Sequence, residues 1–341
     1  MATQLNILSQ ESRPLIPVAL DAGPLSNDLD KLKGKRILFR NNYSKECIPL
    51  QSLSDPFNIL EILHLREFSP NPIKRRIAAV DSSCALIGET EDGAVYAGRV
   101  VAVHVTKSKG FTYSRLGPII IYLQPNGKAG FCGLTKRAIR LMLSDKMLAE
   151  RFIRTWLERW VQLDLAKNFE NSLILVDGGL RSSDLEPQEF SLRVIEGKSQ
   201  ENSNQILGIS KASSLRLISS LSSQLDSRVN GSIFLDVTDP IRTLTPCLRC
   251  RVLVVRFSTN ATVFRVDSSL SNSESDSQVL SDLKFNDVIF RGYPESLRLA
   301  HHLSIFDLST VNSIRAYLSR KYGLVSIPND DLRATILGKL V

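Results

Sequence analysis

Cysteine is scarce in this 341-residue chain, and its five residues, an odd number, give no basis for a disulfide framework. Cys247 and Cys250 form one CxxC in "PCLRC", but structural zinc takes four ligands and there is no second pair. That pair therefore reads as small-residue packing. Long apolar runs are missing too: none approaches the roughly 20 residues needed to cross a bilayer. The first residues, "MATQLNILSQESRPLIP", lack the basic and apolar regions of a secretory signal. The expectation is a cytoplasmic protein with no membrane partner. No internal repeat is present, which argues against a solenoid or propeller.

What the chain does have is 43% hydrophobic residues, enough for a sizeable core, and a formal net charge of +8. Such a balance favours a polyanionic partner such as nucleic acid without identifying one. Residues 1–70, rich in Pro, Asp and Ser, read as an N-terminal extension that covers the core or meets a partner, with a helix candidate at "DPFNILEILHLREF". A patterned body follows over residues 71–325, then a tail at 326–341.

Within the body, "RIAAVDSS", "GAVYAGRVVAVHV" and "GPIIIYLQ" read as three strands separated by turns. Apolar residues at helical spacing, among them Ile139, Leu143, Ile153, Trp156, Leu157 and Trp160, predict one long helix from about Thr135 to Ala166, with both tryptophans in the core. "SLILVDG" is a buried strand, "EGKSQENSNQ" a polar stretch, and "ILGISKASSLRLISSLSSQL" a strand, basic turn and helix. "CRVLVVRFS" and "ATVFRVD" read as strands, and "SSLSNSESDSQ" as too polar to pack. "ESLRLAHHLSIFD" and "STVNSIRAYLSRKYG" are helix candidates.

Two of the strands share a device. In "IAAVDSS" and "LILVDGG", four apolar residues lead into an aspartate followed by small residues, so Asp81 and Asp177 are expected where buried strands reach solvent. Three antiparallel strands, a helix and a fourth strand, with acids on the first and fourth, resemble the ribonuclease H-like fold, a mixed α/β sheet flanked by helices. That resemblance implies that strand four lies beside strand one, that Asp81 and Asp177 come close, and that a third acid projects from the helix. Glu150 and Glu158 are both candidates; each is one helical step from Arg154, and as surface ion pairs they would contribute only a few tenths of a kcal/mol. A carboxylate cluster is costly unless a cation neutralises it, and hard oxygen donors suit Mg²⁺ or Mn²⁺. In "TKSKGFTYSR", Lys107, Lys109 and Arg115 interleave with Phe111 and Tyr113, which suits phosphate contact and base stacking, or equally a solvated hairpin tip.

The motifs "AVDSS", "RTWLERW", "LVDGGL", "GISKASSL" and "GYPESLRLAHHLS", in that order between about residues 75 and 305, resemble the NurA nuclease family. The resemblance implies that Asp81, Glu158, Asp177 and His301 bind divalent metal, Mn²⁺ or Mg²⁺, and that Tyr293 joins them in the catalytic site. It favours Glu158 over Glu150 because Arg154 and Leu157 keep the R-x-x-L-E pattern, and it leaves His302, adjacent to His301, as an alternative register. Lys211 of "GISK" would contact a phosphate. By the same resemblance the protein would be a DNA exonuclease and single-strand endonuclease, a ring-like homodimer that resects double-strand breaks with a HerA-type hexameric ATPase. The chain departs from the family pattern where "ESL" follows "YP" in place of a second proline, which bears on the loop entering the last helix.

Overall fold

The computed structural model describes residues 29–37, 65–106, 110–125, 136–182, 188–210, 231–244, 250–269 and 275–326. The strands in chain order are β1 (Arg36–Ile37), β2 (Arg66–Glu67), β3 (Arg76–Thr90), β4 (Gly93–Val105), β5 (Phe111–Leu123), β6 (Ser172–Asp177), β7 (Gln205–Ser210), β8 (Ile233–Asp236), β9 (Cys250–Arg256), β10 (Phe264–Ser269), β11 (Ile289–Phe290), β12 (Tyr293–Pro294) and β13 (Val325–Ser326). The α-helices are α1 (Lys136–Ser144), α2 (Lys146–Asn168), α3 (Leu192–Glu201), α4 (Thr238–Leu244), α5 (Asp276–Asn286), α6 (Glu295–Ser304) and α7 (Leu308–Tyr322).

Among the described residues, nine strands form one sheet in the order β2-β8-β9-β10-β7-β6-β3-β4-β5. The β3-β4-β5 meander is antiparallel, and β6 lies parallel to β3 on its other side. With β7 parallel beyond β6, the five strands run in the order third, second, first, fourth, fifth, which is the ribonuclease H-like arrangement. Side chains alternate across the pleat, so each central strand supplies two cores. Ala78, Val80, Ile174 and Val176 face Ile153, Trp156 and Leu157 of α2. Ile77, Ala79, Leu173 and Leu175 face Leu283 of α5 and Leu297 of α6. Burial on both faces explains the unbroken apolar runs that mark these strands in the sequence. A third cluster joins Leu29 and Leu32 to Ile314 and Leu318 of α7, and β1 pairs with β13 beside it.

Several expectations need correction. The strand carrying Asp81 does not end there: Asp81 lies within a strand that runs on to Thr90, because Ser82, Ser83 and Cys84 stay paired with β4. The predicted long helix is two helices. Asp145 breaks it, and its carboxylate caps α2 by accepting from the Leu148 amide at 3.0 Å. The polar stretch before β7 is largely α3, in which Leu192, Ile195 and Ser199 are buried while most of the other polar residues face outward. Part of the Ser- and Asp-rich segment packs as well: Ser268 and Ser269 end β10, and Ser275 caps α5. β8 and α4 carry no expectation from the sequence. Trp156 is buried and Trp160 stacks on it, with ring centroids 6.3 Å apart. Most of "DPFNILEILHLREF" and the helix expected after "GISK" lie outside the described residues, as does the tail after 326. Among the described residues no helix is long and apolar enough to cross a membrane.

Candidate metal centre

The last registered pair between β3 and β6 is Val80 with Val176, so the next residues, Asp81 and Asp177, stand level on neighbouring strands. By alternation both project to the face covered by α6. One ligand atom from each of Asp81, Asp177 and His301 lies within 4.8 Å of the others. The His301 Nδ1 is 2.8 Å from Asp81 Oδ2 and 3.8 Å from Asp177 Oδ2. Tyr293 donates its hydroxyl to Asp177 Oδ1 at 3.2 Å, and Ser304 reaches Asp81 Oδ2 at 3.5 Å. α6 is itself anchored at both ends: Ser296 donates to Asp287 at 2.5 Å, and Arg99 donates to the Ile305 carbonyl at 2.9 Å. His302 is exposed, so of the two adjacent histidines the fold brings His301 to the aspartates.

Ser82 points through the opposite face. Its hydroxyl donates to Glu158 Oε1 at 2.6 Å and lies 3.2 Å from the Arg154 carbonyl on α2. Glu158 thus sits behind β3, tied to the residue next to Asp81, and is not one of the three groups that converge within 4.8 Å. Charge still couples the two acids. Burial, and then the Asp81 charge, push the Glu158 carboxyl up to about 7; burial and the Asp177 charge raise that of Asp81. Glu150 lies about two turns earlier on α2, its carboxyl raised by burial and eased by a backbone hydrogen bond from Leu86. Burial and the Asp177 charge also push the Tyr293 hydroxyl well above its ordinary value, so it remains a donor.

A cleft of about 510 Å³ opens beside this cluster, lined by Ser82, Arg151, Arg154, His301 and Ile305 among others. Arg154 is half exposed, and its Nη2 is 4.0 Å from Asp81 Oδ1. Arg115 lies on the sheet's edge strand in one cross-strand row with Val101 and Asp81, hence on the same face and two strand spacings, about 10 Å, away. Tyr113, exposed, shares that face two residues earlier. Lys107, Lys109 and Lys211 fall outside the described residues. What the sequence did not disclose was Ser82 as the bridge to Glu158 and the exposed Arg151 beside it.

A sheet of ribonuclease H-like order, with a paired-aspartate and histidine cluster over its adjacent first and fourth strands, defines a class of proteins rather than one. The NurA domain model matches residues 75–304, and the chain belongs to the NurA family. Among solved structures it is similar to the NurA nuclease from Sulfolobus solfataricus, at 17% identity over 78% of this chain and 89% of that one, with a TM-score of 0.47. A NurA bound to dAMP and manganese is 12% identical over 74% of this chain and 89% of that one, with a TM-score of 0.46. Endonuclease V from Ciona intestinalis, in complex with inosine-containing DNA, is 13% identical over 70% of this chain and 87% of that one, with a TM-score of 0.34. No curated protein sequence matches the chain.

Proposed function

We propose that this protein is a divalent-metal-dependent deoxyribonuclease, with exonuclease and single-strand endonuclease action. The observation that carries the reading is the convergence of Asp81, Asp177 and His301 within 4.8 Å beside a cleft bordered by arginines. Their chemistry fits Mn²⁺ or Mg²⁺: carboxylates are hard oxygen donors, an imidazole is tolerated by Mn²⁺, and a cation would favour the charged forms of Asp81 and Glu158, which burial and then a neighbouring carboxylate's charge disfavour. Asp81, Asp177 and His301 would hold the ion, while Glu158, hydrogen-bonded to Ser82 behind β3, would add negative charge from outside the ligand set. When bound, the ion would lower the pKa of a water and neutralise charge on a phosphodiester.

The chain's own groups do the rest. Tyr293 fixes the rotation of the Asp177 carboxylate through its hydroxyl. His301 is oriented by Asp81, its Nδ1 2.8 Å from Oδ2, and is placed to take part in proton transfer. Arg154 and Arg151 would bind phosphates in the cleft, while Arg115 and Tyr113 would extend the track along the sheet edge by phosphate contact and base stacking. Lys107, Lys109 and Lys211 would add further phosphate contacts. Family membership supports extending the reading to a cytoplasmic homodimer that resects DNA ends with a HerA-type hexameric ATPase during double-strand break repair.

The test is cleavage of end-labelled single- and double-stranded DNA by the purified protein, with Mn²⁺ or Mg²⁺ and after exhaustive chelation. Cleavage should require the ion. Undiminished cleavage after chelation would overturn the metal assignment, and DNA binding without any cleavage, with or without the ATPase, would leave a binding module instead of a nuclease.

A further inference from the structure

The turn that follows Asp177 is held in an unusual way. Gly178 has φ +108, a conformation open to glycine, and its amide donates to the Ile209 carbonyl at 2.9 Å. The Leu180 amide donates at 2.9 Å to Asp267 Oδ2, a carboxylate on β10 with no solvent exposure. Asp267 is in turn gripped by Arg265, two residues earlier on the same face of β10: Nε donates to Oδ1 at 2.6 Å and Nη2 to Oδ2 at 2.9 Å. Arg265 is itself 4% exposed. The fit leaves no slack. A Cβ on Gly179 would meet Asp267 Oδ2 at 2.9 Å, and one on Gly208 would meet the Gly178 carbonyl oxygen at 2.6 Å. From the other side, the Arg159 guanidinium on α2 donates to the Arg181 carbonyl at 3.0 Å.

A buried ion pair is weak grounds for stability, since desolvation offsets most of its attraction, but it fixes geometry where both partners are fully bonded. We infer that Arg265 and Asp267 are positioning residues for the metal centre: the pair grips the Gly178–Leu180 turn and so sets where the Asp177 carboxylate points. The inference rests on Asp177 being a metal ligand. Neither residue touches the site. Their role is that of an outer partner that orients a ligand, whose loss costs metal affinity about 10- to 100-fold. A second buried pair, Arg75 with Asp282 at 2.9 Å, is equally dry and lies by the start of β3, at the opposite end of β6 from the turn, so it supplies a matched control.

The experiment is Mn²⁺ titration of the full-length protein, read by electron paramagnetic resonance of free ion and by ion-induced thermal shift, neither of which needs DNA or turnover. Asp267→Asn should raise the half-saturating Mn²⁺ concentration by about tenfold or more. Arg265→Lys, which keeps the charge but loses the two-point grip, should raise it by a smaller factor. Asp282→Asn should lower the unfolding temperature and leave the Mn²⁺ midpoint unchanged. An Asp267→Asn protein within twofold of the unaltered midpoint overturns the inference, as does an equal shift in Asp282→Asn. If Asp267→Asn does not fold, Arg265→Lys decides on the same criterion. Asp81→Asn separates the two levels: if it binds Mn²⁺ as well as the unaltered protein, the metal-centre reading itself fails, whatever the pair does.

Discussion

β3 carries one polar cluster at its hairpin end and another partway along it, and the two are built on opposite principles. At the hairpin end, Asp92 accepts from Tyr122 at 2.6 Å, Gln124 at 2.7 Å and Thr90 at 3.1 Å, and pairs with Lys35. Burial opposes its ionisation, but the hydrogen bonds from Lys35, Tyr122 and Thr90 outweigh it and hold the carboxyl down to about 2. Partway along the strand Asp81 meets a second carboxylate, Asp177, on the next strand and a third, Glu158, behind Ser82. Its carboxyl is raised, not lowered. One cluster is complete and ties residues 29–37 to the sheet; the other gathers acids with too few cations to balance them. Clusters of the second kind persist where something supplied from outside completes them.

That contrast breaks if the two aspartates respond alike. Asp81→Asn should reduce DNA cleavage on the order of a thousandfold or more, as expected for a member of a catalytic unit, while the unfolding temperature holds or rises because a buried, repelled charge is gone. Asp92→Asn should do the reverse, leaving cleavage unchanged and lowering the unfolding temperature by a few degrees. Cleavage of labelled DNA and thermal unfolding on the same preparations check both, and a stable Asp81→Asn protein with full activity would remove the distinction.

Next in size is the histidine. His301→Gln loses the imidazole 2.8 Å from Asp81 and should cost about 10- to 100-fold in cleavage at fixed Mn²⁺. His302→Gln, altering an exposed neighbour on the same helix, should stay within about twofold. Equal losses would mean that the helix, not the ring at His301, is what matters.

The paired aspartates were legible because an apolar run ending in an acid is a strong local signal and the strand order follows from the element order. The helix break was legible in principle: Asp145 after Ser144 is an N-cap pattern, but apolar residues on both sides continue the stripe and mask it. Asp81 looked like a strand end because serines follow, yet serines pair as well as any residue when a 13-residue partner lies alongside. α3 was hidden because only Leu192, Ile195 and Ser199 are buried among its ten residues. Nothing in the sequence could show that Asp267 holds the turn after Asp177, since the two meet across 87 residues through a backbone amide. Contacts that side chains make to distant backbone leave no periodicity to read.

The smallest effect concerns acid response, and it tests whether a raised carboxyl alone marks a site. Asp287 is also raised, to about 6, by burial, but it is satisfied by neutral donors, Ser296 at 2.5 Å and the Val288 amide at 2.7 Å, and it anchors α6. Its sign is opposite to that of Asp92. Asp287 binds its proton more tightly folded than unfolded, so its contribution to stability is complete below about pH 4 and is lost as pH rises through 6. Asp92 binds its proton less tightly when folded, so its contribution is present above pH 4 and is lost as pH falls towards 2. Thermal unfolding followed from pH 2 to 7 should therefore show one limb rising to about pH 4 and another falling towards pH 6. Asp92→Asn should flatten only the first limb and Asp287→Asn only the second, with cleavage at neutral pH retained in both. Loss of cleavage in Asp287→Asn would place the anchor of α6, and not only its histidine, within the catalytic machinery.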